Sequence, residues 1–154
     1  MAVEAVPKGY HTITPYMTVR DAARAIEFYK QAFGAVEKGV SKGPDGKVMH
    51  AELRIGDSVF MLADEFPQFG SLSPQSTGGT GMGLHIYLED VDSAFDRAVK
   101  AGATVEMPVA DMFWGDRYGK LADPFGHKWS IGTHKRDVTM EEMEEAMKQL
   151  PKSA

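Results

Sequence analysis

Apolar and polar residues alternate along this chain in two long blocks. Each block is interrupted once by a stretch with helical spacing. In His11–Val19, Ile13, Met17 and Val19 share one face while Thr12, Thr14, Tyr16 and Thr18 share the other, which predicts a strand. Asp21 sits where a helix N-cap belongs. Ala22, Ala25, Ile26, Tyr29 and Phe33 then recur at helical spacing, and Gly34 ends the helix. Val36–Lys42 reads as a second strand, followed by the turn Gly43-Pro44-Asp45-Gly46. Val48–Ile55 sets Met49, Ala51, Leu53 and Ile55 against Val48, His50, Glu52 and Arg54, and Gly56-Asp57 turns the chain into Ser58–Ala63.

The pattern stops at Phe66–Met82, a stretch rich in Gly, Ser, Pro and Thr that reads as a flexible linker. It then begins again. Leu84, Ile86 and Leu88 oppose Gly83, His85 and Tyr87. Asp90 or Asp92 caps a helix carrying Val91, Ala94, Phe95, Ala98 and Val99, and Gly102 ends it. Val105–Met112 is a strand broken by Pro108. Asp116–Leu121 and Lys128–Thr133 form a hairpin closed by Asp123-Pro124-Phe125-Gly126, with proline setting φ and glycine completing the turn.

Both blocks read β-α-β-β-β. The helix-ending pairs Gly34-Ala35 and Gly102-Ala103 lie 68 positions apart (102 − 34), and Asp21 and Asp90 lie 69 apart (90 − 21), so one gap aligns the halves. The predicted organisation is a first βαβββ module at 10–66, a linker at 67–82, a second module at 83–134 and a C-terminal helix at 135–151, together one α+β domain. Thr139 and Glu142 form a capping box for that last helix. Its stripe of Met140, Met143, Met147 and Leu150 predicts docking on its own domain or on a dimer mate, with an adaptable partner surface as the alternative.

Composition narrows the function classes. The 154 residues are 43% apolar and 25% charged, ordinary for a globular domain, and the net charge of -5 with no basic run argues against nucleic acid. With no cysteine there is no disulfide framework and no cysteine–zinc site. Met1–Gly9 does not resemble a signal peptide, and no apolar stretch approaches a membrane span, so a cytoplasmic protein without membrane contact is expected. Nucleophile elbow, Rossmann fingerprint and P-loop are all missing; Gly78-Gly79-Thr80-Gly81 lacks the lysine and helix that a P-loop needs.

Several strings carry a family resemblance. They are Ile26–Ala35, Thr14-Pro15-Tyr16, Met49–Leu53, Met61–Glu65, Trp114–Gly119, Asp123–Trp129 and Thr133-His134. Together with the element order they resemble the vicinal oxygen chelate superfamily, which includes glyoxalase I, bleomycin-resistance proteins and extradiol dioxygenases, and its PhnB-like branch in particular. The resemblance implies paired βαβββ modules with curved sheets around a cavity and helices on the outer sheet face. It also implies a homodimer in which modules from two chains complete each cavity. Ile13, Met17, Phe60, Leu62, Leu84, Ile86 and Leu88 would then lie under helices. Thr14, Tyr16, His50, Glu52, Met61, His85, Tyr87 and Ser130 would line the cavity.

Metal-using members of that superfamily carry one ligand on the first and one on the last strand of each module. Counting from the helix caps and turns, those positions fall on Thr14, Met61, Gly83 and Ser130, none a normal ligand for Zn, Fe or Ni. No metal and no other cofactor are therefore expected at the usual place. A displaced set of His50, Glu52 and His85 stays open, either as metal ligands or, for His50 and Glu52, as an acid/base pair. These three are the candidate catalytic residues. His11 and His134 read as surface residues and His127 as structural.

Two functions follow. One is a metal-free protein that binds and sequesters a planar or anionic small molecule. Tyr16, Tyr87, Phe113 and Trp114 offer flat apolar area, and Arg117 either faces an anion or pairs with Asp116 or Asp64. The other is a lyase, isomerase or dioxygenase using displaced ligands or acid/base residues.

Overall fold

The structure, a computed structural model, describes residues 2–152. The first module runs β1 (Tyr16–Val19), α1 (Ala22–Phe33), β2 (Val36–Lys42), β3 (Val48–Ile55) and β4 (Ser58–Asp64). The second runs β5 (Gly83–Tyr87), α3 (Val91–Ala101), β6 (Thr104–Asp111), β7 (Asp116–Ala122) and β8 (Lys128–His134). Between them lies a short helix, α2 (Pro74–Thr77), and α4 (Met140–Lys148) follows. The sheets have matching orders, β1-β4-β3-β2 and β5-β8-β7-β6, with the β1–β4 and β5–β8 pairs parallel and the rest antiparallel. The expected α+β architecture of two βαβββ modules with a C-terminal helix is present.

The repeat extends to hydrogen bonds. Asp21 and Asp90 each cap their helix by accepting from a backbone N–H three residues on, at 3.1 Å in both halves. One residue further, the Ala22 N–H donates to Asp64 Oδ1 at 2.8 Å and the Val91 N–H donates to Thr133 Oγ1 at 3.0 Å. Asp64 ends β4 and Thr133 is the last residue but one of β8, so each module ties its last strand to the start of its helix. Gly34 and Gly102 end the two helices, as the sequence predicts.

The helices pack on each other, and each also lies on its own sheet. The result is one core shared by both halves. Tyr29 on α1 packs edge-on against Phe60 of β4 and tilted against Trp129 of β8, and Phe33 lies 4.6 Å from Trp129 between ring centres. Asp123, buried in the β7–β8 turn, closes this cluster. Its Oδ2 accepts from the Tyr29 hydroxyl at 2.6 Å and the Trp129 indole at 2.8 Å, while Oδ1 accepts from the Phe125 and His127 N–H groups at 2.9 and 3.0 Å. Four donors compensate the burial of one carboxylate.

Several expectations change in detail. The first strand begins at Tyr16, not His11, and Ile13 is exposed instead of lying under a helix. Proline has no N–H to donate; instead the Pro15 carbonyl accepts from Met61, so regular pairing starts after it. Val48 is buried and Met49 half-exposed, the reverse of the predicted alternation. The register shift between Ser41 and Lys42 interrupts the pleat there, and the Val48 N–H is drawn to Asp64 Oδ2 at 2.7 Å. Pro108 sits inside β6 at a register irregularity instead of ending the strand. The segment 67–82, expected as a flexible linker, holds a 3-10 turn and α2. It is pinned twice: Ser73 is fully buried and donates N–H and hydroxyl to Glu65, and Pro74 lies against the turn at Gly126. A Cβ at Gly126, whose φ is +90°, would come within 2.9 Å of Pro74. The stripe on α4 does not dock on its own domain, since no residue of that helix is buried and Met140 and Met147 are exposed.

Candidate functional site

Because each sheet receives a helix on one face only, its other face is open in the single chain. On the first sheet, Tyr16, Met61 and Glu52 stand in one row across β1, β4 and β3. On the second, His85, Ser130 and Lys120 stand in the equivalent row across β5, β8 and β7. The strand positions opposite Met61 and Ser130 are therefore Tyr16 and His85, two residues beyond the expected Thr14 and Gly83. Thr14 lies before β1, with its hydroxyl donating to the His11 carbonyl at 3.3 Å.

The first open face holds a connected chain of polar groups. The Tyr16 hydroxyl is 2.9 Å from His50 Nδ1, and His50 Nε2 is 3.2 Å from Glu52 Oε1. Glu52 accepts, so Nε2 carries a proton. In the neutral ring Nδ1 is then the acceptor, and the Tyr16 hydroxyl points its proton at His50. Glu52 Oε2 also accepts from Tyr10, whose ring carries Lys38 Nζ 4.3 Å from its centre. Hydrogen bonds from Tyr10 and then His50 hold the Glu52 carboxyl below its ordinary range, and partial burial holds the Tyr16 phenol above its own.

The second open face is built around His85. Its Nδ1 is 2.7 Å from Ser130 Oγ, its ring stacks on Tyr118, and the edge of Tyr87 meets it. Gly132 makes this placement possible: a Cβ there would lie 3.2 Å from His85 Cε1 and 3.3 Å from Nε2. Burial pushes the His85 imidazole down, against the pull of Asp116. His50 and Glu52 thus meet on one sheet while His85 belongs to the other.

At the start of β7, Asp116 is buried and accepts from Tyr87 and Trp114 on one oxygen, each at 3.2 Å, while His134 Nδ1 lies 2.8 Å from the other. Trp114 and Tyr87 are held by these bonds, and Trp114 also packs edge-on against Tyr118. Arg117 is occupied, with two bonds to Asp92 at 2.8 and 2.9 Å and one to Asp111 at 3.2 Å. Neither Asp116 nor Asp64 is its partner. His134, expected as a plain surface residue, also reaches Asp137 at 2.8 Å. His127 is structural as expected, with Nε2 2.9 Å from the Thr18 carbonyl.

Tyr10, Tyr118, Lys120 and Lys128 join the open faces without having been singled out from the sequence. Tyr118 was legible in principle, since it follows His85 and Tyr87 in an aromatic set. The others were not, because only cross-strand register brings them into place.

With the register corrected, the positions that the resemblance implies for metal ligands carry the Tyr16 phenol and Met61 thioether in one half and the His85 imidazole and Ser130 hydroxyl in the other. This donor set does not fit a hard divalent ion. Among the described residues, no group of three or more His, Asp or Glu side chains is placed to hold one. His50, Glu52 and His85 do not come together within the chain.

A groove of about 670 Å³ runs along the unpaired edge of β5, with Ile13, Val59, Leu84, Ile86 and Leu88 among its walls. A smaller cavity of about 350 Å³ lies on the second open face between Thr80–Leu84, His85, Tyr118, Lys120, Lys128 and Ser130.

The paired modules and their open faces define a class. The chain belongs to the glyoxalase/bleomycin resistance protein/dioxygenase superfamily, whose model matches residues 10–131. It is 49% identical over 150 residues to an uncharacterised protein of Mycobacterium tuberculosis, covering 96% of this chain and 86% of that one. The crystal structure of an Arabidopsis thaliana gene product superposes with a TM-score of 0.64 at 30% identity, covering 79% of this chain and 98% of that one. A PhnB protein from Bacillus cereus shares the fold, with a TM-score of 0.63 at 21% identity over 80% of this chain and 99% of that one. No helix among the described residues is long and apolar enough to cross a membrane.

Proposed function

We propose that this protein binds and sequesters a planar or anionic small molecule, without a chelated metal, on the open faces of its two sheets. The reading rests on one observation above the others. Each sheet spends one face on the shared core and leaves the other, lined by Tyr16, His50 and Glu52 or by His85, Tyr87, Tyr118 and Ser130, unburied. An aromatic face with a few fixed polar groups is what recognition of a flat ligand needs.

A homodimer completes the reading. The residues of both open faces stay exposed or half-buried in the single chain, and a second copy would wall them into a deeper cavity. The apolar groove beside the unpaired edge of β5 supports such pairing. The compartment that suits the chain is the cytoplasm.

The test has two arms. Sedimentation should give a dimer, and a monomer would remove the enclosed cavity. A thermal-shift screen of planar compounds, neutral and anionic, should give at least one saturable stabilisation, since a ligand that binds only the folded state raises its apparent stability.

The Tyr16–His50–Glu52 chain favours a second reading, a metal-free acid/base enzyme of the lyase or isomerase type. The carboxylate fixes the imidazole tautomer, and the imidazole in turn accepts from a phenol that faces solvent. Turnover that depends on His50 but persists in metal-free, tag-free protein would support it. Stoichiometric metal lost in a His85→Ala variant would instead favour a displaced metal site shared between chains.

A further inference from the structure

The cavity on the second open face carries a charge opposite to that of the molecule. The chain as a whole is at -5, yet this cavity has Lys120 and Lys128 among its walls and no carboxylate. Lys128 is balanced by Glu106 at 2.7 Å. Lys120 has no ion-pair partner among the described residues. Arg117, the guanidinium considered for an anion, is paired instead with Asp92 and Asp111. The cation left for a ligand is therefore Lys120.

Its neighbours suit the same task. Lys120 pairs across the strands with Ser130, and Ser130 with His85, in one row. The His85–Ser130 pair shares one proton in its 2.7 Å bond and has one donor left over, in either tautomer. Tyr118, stacked on the His85 ring, supplies a flat wall. Gly83 leaves the floor bare: a Cβ there would meet only Lys128 backbone and Cβ, at 3.5 and 3.8 Å. A volume of about 350 Å³ lies at the small end of the range for ligand sites.

We infer that this cavity is an anion subsite for the carboxylate of a small aromatic acid, with Lys120 as its charged anchor, the Ser130–His85 pair as hydrogen-bond donor and Tyr118 as stacking wall. The inference rests on the proposed ligand-binding function and names the ligand class that the second face would take.

Benzoate and benzamide have nearly the same shape and differ in charge, so they separate the two ideas. Binding is followed by NMR of the intact protein. Benzoate should bind more tightly than benzamide at low salt, by up to about fivefold, the worth of one partly exposed ion pair, and the preference should shrink as salt screens it. The His85 ring and Lys120 signals should move on binding. Lys120→Gln should abolish the preference, and Arg117→Gln should keep it. Equal binding of the two compounds, or shifts confined to other residues, would overturn the subsite while leaving a planar-ligand protein. Inorganic phosphate competing as well as benzoate would reduce it to a general anion site and overturn the aromatic-acid class. No binding by benzoate, benzamide or the wider screen would remove the binding function itself and this inference with it.

Discussion

The Tyr29 hydroxyl donates to Asp123 Oδ2 at 2.6 Å, joining the first helix to a turn 94 residues away. Burial, and then the neighbouring carboxylate, push the Tyr29 phenol far above its ordinary range, so it stays a donor at any working pH. Tyr29→Phe removes one of four donors from a buried carboxylate and should cost about 1–3 kcal/mol in chemical denaturation. Asp123→Ala strands two backbone and two side-chain donors and should cost more, about 3 kcal/mol or above. A Tyr29→Phe protein as stable as the parent would show that the two modules do not depend on this link.

Glu65 holds the segment between the modules. Bonds from Ser73, and then Ser76, lower its carboxyl from 4.5 to about 2, with Arg20 at 3.8 Å adding a smaller pull. Its folded value is depressed, so its contribution is complete above about 4.5 and is lost as pH falls towards about 2. The protection factor of the Ser73 amide, its exchange rate taken relative to an unstructured amide at the same pH, should fall in that window, and Glu65→Gln should make it low and nearly independent of pH. Unchanged protection of Ser73 in the variant would rule this out.

The end of the second sheet responds in the opposite sense. Bonds to Asp116 and then Asp137 raise the His134 imidazole above 6.5. A raised folded value stabilises fully below 6.5 and is lost as pH rises through the folded value. Burial pushes Asp116 up, but bonds from His134, Tyr87 and Trp114 outweigh it and the net shift is downward, so the pair stays charged through mild acid. NMR titration should place His134 above an ordinary histidine, and Asp137→Asn should bring it partway back.

Gly132 keeps room for the His85 ring. Gly132→Ala puts a methyl 3.2 Å from that ring, which has to leave Tyr118 and Ser130 or strain the strand. The expected outcome is a stability loss of about 1 kcal/mol and an imidazole that titrates closer to 6.5 once it is less buried. The same titration of His85 as in the parent would show that the ring has not moved.

Much of the fold was legible because local rules repeat. Aspartate caps, glycine stops and two-residue periodicity marked both modules, and the Asp123–Gly126 turn fell where predicted. The site was less legible because its geometry is non-local. Tyr16 meets Met61, and His85 meets Ser130, across parallel strands separated by a whole module, and counting back from a helix cap missed their register by two residues. Arg117 was left between an anion and Asp116 or Asp64, because its partner Asp92 lies in a different element, at the start of α3. Lys120 and Lys128 drew no notice because nothing in the sequence shows which sheet face lacks a helix. The segment 67–82 looked structureless because its anchors, Glu65 and the Gly126 turn, lie outside it.

The open faces and the core draw on separate residues. Tyr16, His50, Glu52, His85 and Ser130 are all absent from the buried cluster that includes Tyr29, Phe33, Phe60 and Trp129. Substitutions at these open-face positions therefore leave the packing of the shared core untouched. A scaffold divided in this way can change its open faces while its core stays the same.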